Sequence, residues 1–473
     1  MARLYLTLAL VATCCFITAL SDSFAQPPNA VYPDKQTNGG IKAGGGFTGD
    51  FSVSNPDNAR NTVTNTKPNN NYALLTATST LGTSTAWIQL EFPAEVPSSA
   101  GAPVTVYVRT DDNTAALLGG GVALTVHDHN GNTVSVQAGG YKTYHSADGS
   151  VFLAVTPTAN FKYIKATLSS PTALGTNTLK VYFAFYGPGA TNTSNPYPFN
   201  VADCGSPNVT SKDHSGLTIG NFEVTNAGNA IDDQLGTKSS FVSTGISLLS
   251  GHIKQTFFFN GVSNASDAVR VVLSQSGSFL AANVASSITL QAYNGSTAVG
   301  TAPLVSSLLD ADLLGLLGTN DNQIAFHFAP RDGSGNSVVF DRVELDLNIG
   351  LLGAGLGANG INVHDVRRAP DMPSALAATA CANIGTALLS AVAPQLSIPG
   401  IGGFSYSWYT AAHATVPISS AQNWTPTGLT TPGTVAYYVE TTKTGTGCIA
   451  SPRRKVDVTV VTPPAPPSVA LSP

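Results

Sequence analysis

Charge is what this sequence has least of. Asp, Glu, Lys and Arg make up only 10% of its 473 residues, against a usual share near ~25%. The 22 basic residues are scattered and the net charge is −5, so no basic stripe is offered to nucleic acid. Only 2 residues are methionine, and the charged helix formers are few, which disfavours a helical protein. After the first 25 residues no run reaches the ~18 apolar residues of a membrane-spanning helix. Catalytic signatures are missing as well. There is no Gly-x-Ser-x-Gly elbow, no phosphate-binding loop and no His-Glu-x-x-His, and the acid pairs Asp111-Asp112 and Asp310/Asp312 have no diagnostic context. No catalytic residue is assigned and no enzyme is expected.

What remains is rich in Gly (46), Pro (29), Thr, Ser, Asn and Val, and is still 42% hydrophobic. That is too apolar for a disordered chain and suits an exported all-β protein. Arg3, the apolar run Leu4 to Leu20 and Ser23-Phe24-Ala25 read as a signal peptide over 1–25, cleaved after Ala25. The expected location is therefore secreted or outer cell surface. Cleavage leaves Cys204, Cys381 and Cys448. Cys381 and Cys448 bracket one apparent domain and are expected to pair, in a compartment where disulfides persist. Cys204 is left over, either as a thiol or paired to a segment absent here.

The chain repeats itself. Val53-Ser54-Asn55-Pro56-Asp57-Asn58-Ala59 matches Val224-Thr225-Asn226-Ala227-Gly228-Asn229-Ala230. Trp87-Ile88-Gln89-Leu90-Glu91-Phe92 lies where Ile253-Lys254-Gln255-Thr256-Phe257-Phe258 lies. Further matches join the runs at Val104 and Val269, at Phe161 and Phe340, and at Gly175 and Gly357. Five matches in one order mean two homologous units of about 170 residues. Alternating runs and the hairpin signals Asn130-Gly131 and Asn294-Gly295 make each a β-sandwich, jelly-roll-like. The expected domains are 26–187 and 204–369, with a turn-rich linker at 188–203 and a second linker at 370–375. A smaller unit follows over 376–462, with Trp408 in a central strand between Cys381 and Cys448, the logic of an Ig-like sandwich. Residues 463–473 form a proline-rich spacer, which suggests continuation into a longer polypeptide.

The third unit resembles the bacterial Ig-like domains found in tandem in large secreted proteins of gliding-type Gram-negative bacteria. Cys381, the block Tyr406–Tyr409, Tyr437-Tyr438-Val439 and Gly447-Cys448-Ile449-Ala450-Ser451 carry the resemblance. It implies a spacer or adhesive role at a cell surface. The two repeats resemble galactose-binding-like jelly rolls, through Asn229-Ala230-Ile231-Asp232-Asp233-Gln234-Leu235-Gly236-Thr237. In that fold such a loop can hold a structural calcium. Asp232 and Asp233 are the candidate ligands here, against a solvated turn in which Asp bonds its own backbone. No other cofactor is expected.

The remaining candidates are local. His127 and His129 share a strand face and could chelate a metal with His145, but Asn130-Gly131 places them at a hairpin tip. The Leu/Gly-rich stretches Leu308–Gly318 and Ile349–Gly360 read as loops folded over a sandwich end. Trp87, Tyr141 and Tyr144 could lie against sugar rings, although Trp87 falls in an alternating run and reads as core. The sequence as a whole points to a non-catalytic adhesion or spacer protein meeting an extracellular glycan or surface protein. The second reading is a carbohydrate-binding module, appended to an enzyme elsewhere.

Overall fold

The computed structural model describes residues 30–464, apart from 44–47, 112–120, 171–172, 188–204, 220–221, 244–245, 260, 276–281, 310–322, 350–356, 384, 395–402, 413 and 445–447. The signal segment, Cys204, the linker 188–203, Asp112, Asp310 and Asp312, most of both Leu/Gly-rich stretches and most of the terminal spacer lie outside the described residues. Two compact units divide the chain. One takes in Met1–Tyr144 and Ser150–Val201, the other His145–Gly149 and Ala202–Pro473.

The first unit contains β1 (Lys35–Ile41), β2 (Gly49–Ser54), β3 (Ala73–Leu81), β4 (Thr85–Val96), β5 (Val106–Thr110), β6 (Val122–His127), β7 (Thr133–Val134), β8 (Val136–His145), β9 (Val151–Pro157), β10 (Phe161–Ser169) and β11 (Ala173–Tyr186). One sheet runs β1-β4-β10-β6-β7. Another runs β9-β5-β11-β3-β2, with β8 beside β9. Ile88, Leu90, Ile164 and Val126 of the first sheet pack against Leu75, Leu179, Val106 and Val181 of the second in a single core. β3, β4 and β10 each supply every second residue to that core, the signature of a sandwich.

The second unit begins with the same plan. Its strands are β12 (Pro207–Ile219), β13 (Phe222–Thr225), β14 (Ser239–Ser243), β15 (Ile246–Phe259), β16 (Asp267–Gln275), β17 (Ile288–Asn294), β18 (Thr297–Val299), β19 (Ile324–Phe328), β20 (Arg342–Asn348) and β21 (Gly357–Pro370). Within this unit the orders are β12-β15-β20-β17-β18 and β19-β16-β21-β14-β13. Strand for strand, these repeat the two sheets of the first sandwich. The small details repeat too. In both copies a strand ends at an Asn in the left-handed region, Asn55 (φ 51°) and Asn226 (φ 49°), and enters a single 3-10 turn. Asn is among the few residues with a side chain that visit this region readily. Each turn then buries an alanine completely, Ala59 and Ala230.

The register of the copies differs by one residue from the sequence match. Ala86 and Ile88 stand opposite Leu168 and Ala166 in β10. Ile253 and Gln255 stand opposite the equivalent Leu347 and Leu345 in β20. Trp87 therefore corresponds to Lys254, not to Ile253. A slip of one residue exchanges the two faces of a strand. Trp87 accordingly lies outside the core, while its neighbours Ala86 and Ile88 are fully buried. This corrects the core reading of Trp87.

The Ig-like sandwich completes the second unit. Its strands are β22 (Ser374–Ala375), β23 (Ala378–Cys381), β24 (Leu389–Val392), β25 (Phe404–Tyr409), β26 (Asn423–Trp424), β27 (Gly433–Lys443) and β28 (Arg454–Val461), in sheets β22-β24-β26 and β23-β28-β27-β25. Trp408 is its fully buried centre, with Leu389, Ala391, Val439 and Val458 around it. The Trp408 indole N–H donates to the Ala421 carbonyl at 2.8 Å, so the one polar atom of the ring is satisfied.

The expected Cys381–Cys448 bond is not formed. Cys381 is a free thiol, whereas Cys448 is disulfide-bonded. The topology explains this. Cys381 pairs with Val461, at the last residue of β28, while Cys448 lies before Arg454, the first residue of that strand. The 8 residues of β28 separate these ends by roughly 20 Å or more, and a disulfide needs Cα atoms within about 7 Å. Alkylation without reductant is expected to label Cys381 but not Cys448. Labelling of both before reduction would contradict the assignment.

The joint between the second sandwich and the Ig-like domain is short. β21 ends at Pro370 and β22 begins at Ser374, so the expected linker 370–375 shrinks to Asp371–Pro373. Asp371 pairs with Arg331 at 2.6 Å. Lys443 of β27 reaches Asp267 of β16 at 2.8 Å, and the Asp267 side chain is 2% exposed. His327 sits at the same junction. Burial and Arg270 push its imidazole down to about 4, against a hydrogen bond to the Ala450 backbone.

Candidate functional site

The outward side of the β1-β4-β10-β6-β7 sheet is the most distinctive surface of the first sandwich. Strand β4 reads Thr-Ala-Trp-Ile-Gln-Leu-Glu-Phe, with Ala86, Ile88, Leu90 and Phe92 buried. The period of 2 sends Trp87, Gln89 and Glu91 outward. Opposite Trp87 stand Gly39 on β1 and Thr167 on β10. A Cβ at Gly39 would come within 2.8 Å of the indole, so glycine is what lets the ring lean over β1. The Lys165 ammonium sits 4.2 Å from the ring centroid. An aromatic ring with an ammonium beside it offers apolar contact and a hydrogen-bond donor in one place.

Around this pair the face is polar. Glu91 takes Lys35 at 3.2 Å and lies 3.6 Å from Lys162. His127 is held at both nitrogens: Nδ1 lies 3.2 Å from the Gly131 carbonyl and Nε2 3.0 Å from the Thr125 hydroxyl. Both ring nitrogens thus already have protein partners, so a metal is not needed to satisfy them. The same face of the second sandwich is built differently. There Lys254 meets Glu344 at 2.8 Å, His252 meets Asp346 at 2.8 Å, and Tyr293 donates to Glu344 at 3.3 Å. The Trp87–Lys165 pair of one copy is thus a Lys254–Glu344 ion pair in the other. Duplication kept the fold, and the exposed face diverged.

The other candidates are placed as follows. Tyr141 is 54% exposed, and its hydroxyl donates to the Leu124 carbonyl at 3.2 Å. Leu124, Ala166 and Ile88 form one row across the sheet, so that hydroxyl reaches a strand two away from the one that carries Trp87. Tyr144 is buried, with its ring 6.2 Å from Tyr107, and offers no platform. His129 meets Glu95 at 3.3 Å on the exposed hairpin, while His145 is buried. Asp111 accepts the Lys180 backbone N–H at 2.8 Å. Asp232 takes the Thr237 hydroxyl at 2.7 Å and the Gln234 N–H at 3.0 Å. Asp233, at φ 72°, pairs with Arg367. Both candidate calcium ligands thus already have protein partners. Among the described residues no group of three His, Cys, Asp or Glu could hold a metal ion.

Sequence reasoning missed Lys165 and Gly39 as partners of Trp87. The parity of β4 was a usable signal, because Ala86, Ile88, Leu90 and Phe92 all fall on the opposite face. It also missed Lys67 and Arg109, whose burial depends on tertiary neighbours.

Residues 370–463 match the family of CHU_C-associated Ig-like domains. This agrees with the resemblance read over 376–462. No curated protein matches the chain. Among solved structures, a beta-1,2-glucanase from Parabacteroides distasonis is similar at 13% identity and a TM-score of 0.25, over 54% of this chain and 37% of that one. The chain therefore spans little more than a third of that enzyme. The BSP domain of a biofilm associated protein is similar at 7% identity and a TM-score of 0.16, over 82% of this chain and 81% of that one. The N-terminal CBM22-1-CBM22-2 tandem domain of Paenibacillus barcinonensis Xyn10C is similar at 11% identity and a TM-score of 0.18, over 74% of this chain and 99% of that one. Among the described residues no helix is long and apolar enough to cross a membrane.

Proposed function

We propose that the protein is an exported, non-catalytic surface protein that works by contact. Its first sandwich meets an extracellular glycan through the face centred on Trp87, and the Ig-like domain acts as a spacer behind it. The observation that carries this reading is the outward indole leaning over Gly39 with Lys165 at its ring. Placed where the second copy has an ion pair, the indole adds nothing to the core, and a large aromatic at a surface is the usual anchor of a recognition site. The sequence of segment 1–25 supports the export part of this reading. A calcium at Asp232 and Asp233 would have to displace Arg367 and Thr237, and its role would be structural.

Binding of the exported chain to a glycan array and to whole cells tests the reading. Trp87→Ala is expected to lower glycan affinity about thirtyfold, an anchor's worth of binding energy. The melting temperature should stay within about 3 °C, because the side chain lies outside the core. No binding in either assay, or binding that Trp87→Ala leaves intact, would overturn it.

A further inference from the structure

The two copies treat one place in the outward sheet face differently. In the second sandwich Lys254 of β15 stands opposite Asp346 of β20, two residues from Glu344. Its ammonium meets Glu344 at 2.8 Å and Asp346 at 3.4 Å, so the cation is cancelled where it sits. In the first sandwich the register puts Trp87 at the place of Lys254, Thr167 at that of Asp346 and Lys165 at that of Glu344. Both carboxylates are gone, and the cation has moved to the strand that carried them.

Lys165 is partly exposed, and its ammonium rests on the indole, 4.2 Å from the ring centroid. A ring face holds an ammonium in place without cancelling its charge. Among the described residues no carboxylate pairs with Lys165. Its partners across the sheet are neutral, Gln89 on β4 and Thr125 on β6. The glutamates of β4 are engaged elsewhere. Glu91 meets Lys35 at 3.2 Å and lies 3.6 Å from Lys162, and Glu95 meets His129 at 3.3 Å. A chain that is only 10% charged, with a net charge of −5, thus keeps a positioned and uncompensated cation beside its outward indole.

We propose that Lys165 makes this face selective for acidic saccharides, sugars that carry a carboxylate or a sulfate. The inference rests on the glycan reading of the Trp87 face and adds the class of glycan. The ammonium is the charge complement of the anionic group. The rim of the indole gives the sugar ring an apolar contact. The Gln89 amide and the Thr125 and Thr167 hydroxyls serve its hydroxyls as donors or acceptors.

Isothermal titration of the full exported chain tests this with matched probes. These are an oligogalacturonate and its methyl ester, a sulfated oligosaccharide and its desulfated form, and inorganic sulfate alone. Each acidic sugar is expected to bind about tenfold tighter than its neutral partner at low salt, and the gap should close as salt screens the contact. Lys165→Gln should bring the members of each pair to equal affinity. Lys165→Arg, which keeps a cation on the ring, should keep the preference. Both substitutions lie on the outward face, so the melting temperature should stay within about 3 °C. A gap confined to one pair supports the proposal and identifies the anion. Acidic and neutral forms that bind alike, while Trp87→Ala still weakens both, would overturn it and leave the glycan reading standing. A preference that survives Lys165→Gln, or free sulfate bound as tightly as the acidic sugars, would overturn it as well. No binding of any sugar would sink both.

Discussion

Lys67→Met is expected to make the protein more stable at pH 6, by about 2–3 kcal/mol. The lysine is 3% exposed. Burial and then Arg109 push its ammonium from 10.5 down to about 7. The sign follows from where each state holds its proton. Below pH 7 folded and unfolded chains are both charged, and the fold bears the full cost of the buried ammonium. Between about 7 and 10.5 the folded chain is neutral while the unfolded chain stays charged, so the cost fades as pH rises. A depression from 10.5 to about 7 sets a ceiling of about 5 kcal/mol. Methionine forfeits the bonds to Asn69 and Asn71, at about 1 kcal/mol each, which leaves the smaller figure. The advantage should vanish at about pH 9, where the fading cost equals the two lost bonds, and be reversed by pH 10.5. Urea unfolding at pH 6, 8 and 10.5 measures this. A difference that does not change with pH, or a variant less stable at pH 6, would refute it.

The second large effect belongs to the Ig-like domain. Trp408→Ala should cost about 3–5 kcal/mol. The indole is fully buried, donates to Ala421, and packs at 5.7 Å against Trp424, which meets Tyr437 at 5.0 Å. Truncation leaves a cavity, an unpaired Ala421 carbonyl and a broken aromatic row. For a domain of this size the loss corresponds to about 15–30 °C in melting temperature. Calorimetry should show one transition moved and the sandwich transition nearly in place. A fall of less than about 1 kcal/mol would mean that the core closes around the gap.

Much of this architecture was legible from residues alone. The Asn55 and Asn226 turns matched in sequence because a left-handed residue tolerates few side chains, and each follows the corresponding edge strand of its own sandwich. Trp408 was legible for the same kind of reason, since a single large ring must find a core. Three readings failed where geometry depends on distant partners. The match at Trp87 slipped by one residue, because alternating apolar runs look alike at either parity until the neighbouring strand fixes the register. The Cys381–Cys448 pairing failed because the order of residues along a chain says nothing about which end of a strand each reaches. Lys67 escaped notice because Asn65-Thr66-Lys67-Pro68-Asn69-Asn70-Asn71 reads as a solvated loop. Its burial against Phe183 and Arg109 comes from strands far along the chain.

The pairing of β23 with β28 has a consequence for a protein under tension. The two strands are parallel, with Ala378 opposite Val458 and Cys381 opposite Val461, and they lie near the entrance and exit of the Ig-like domain. A pull applied through those ends drags the strands in opposite directions along their own length. The rungs between them are then sheared together instead of being unzipped one by one. A surface module built this way resists stretching more strongly than its thermal stability would suggest.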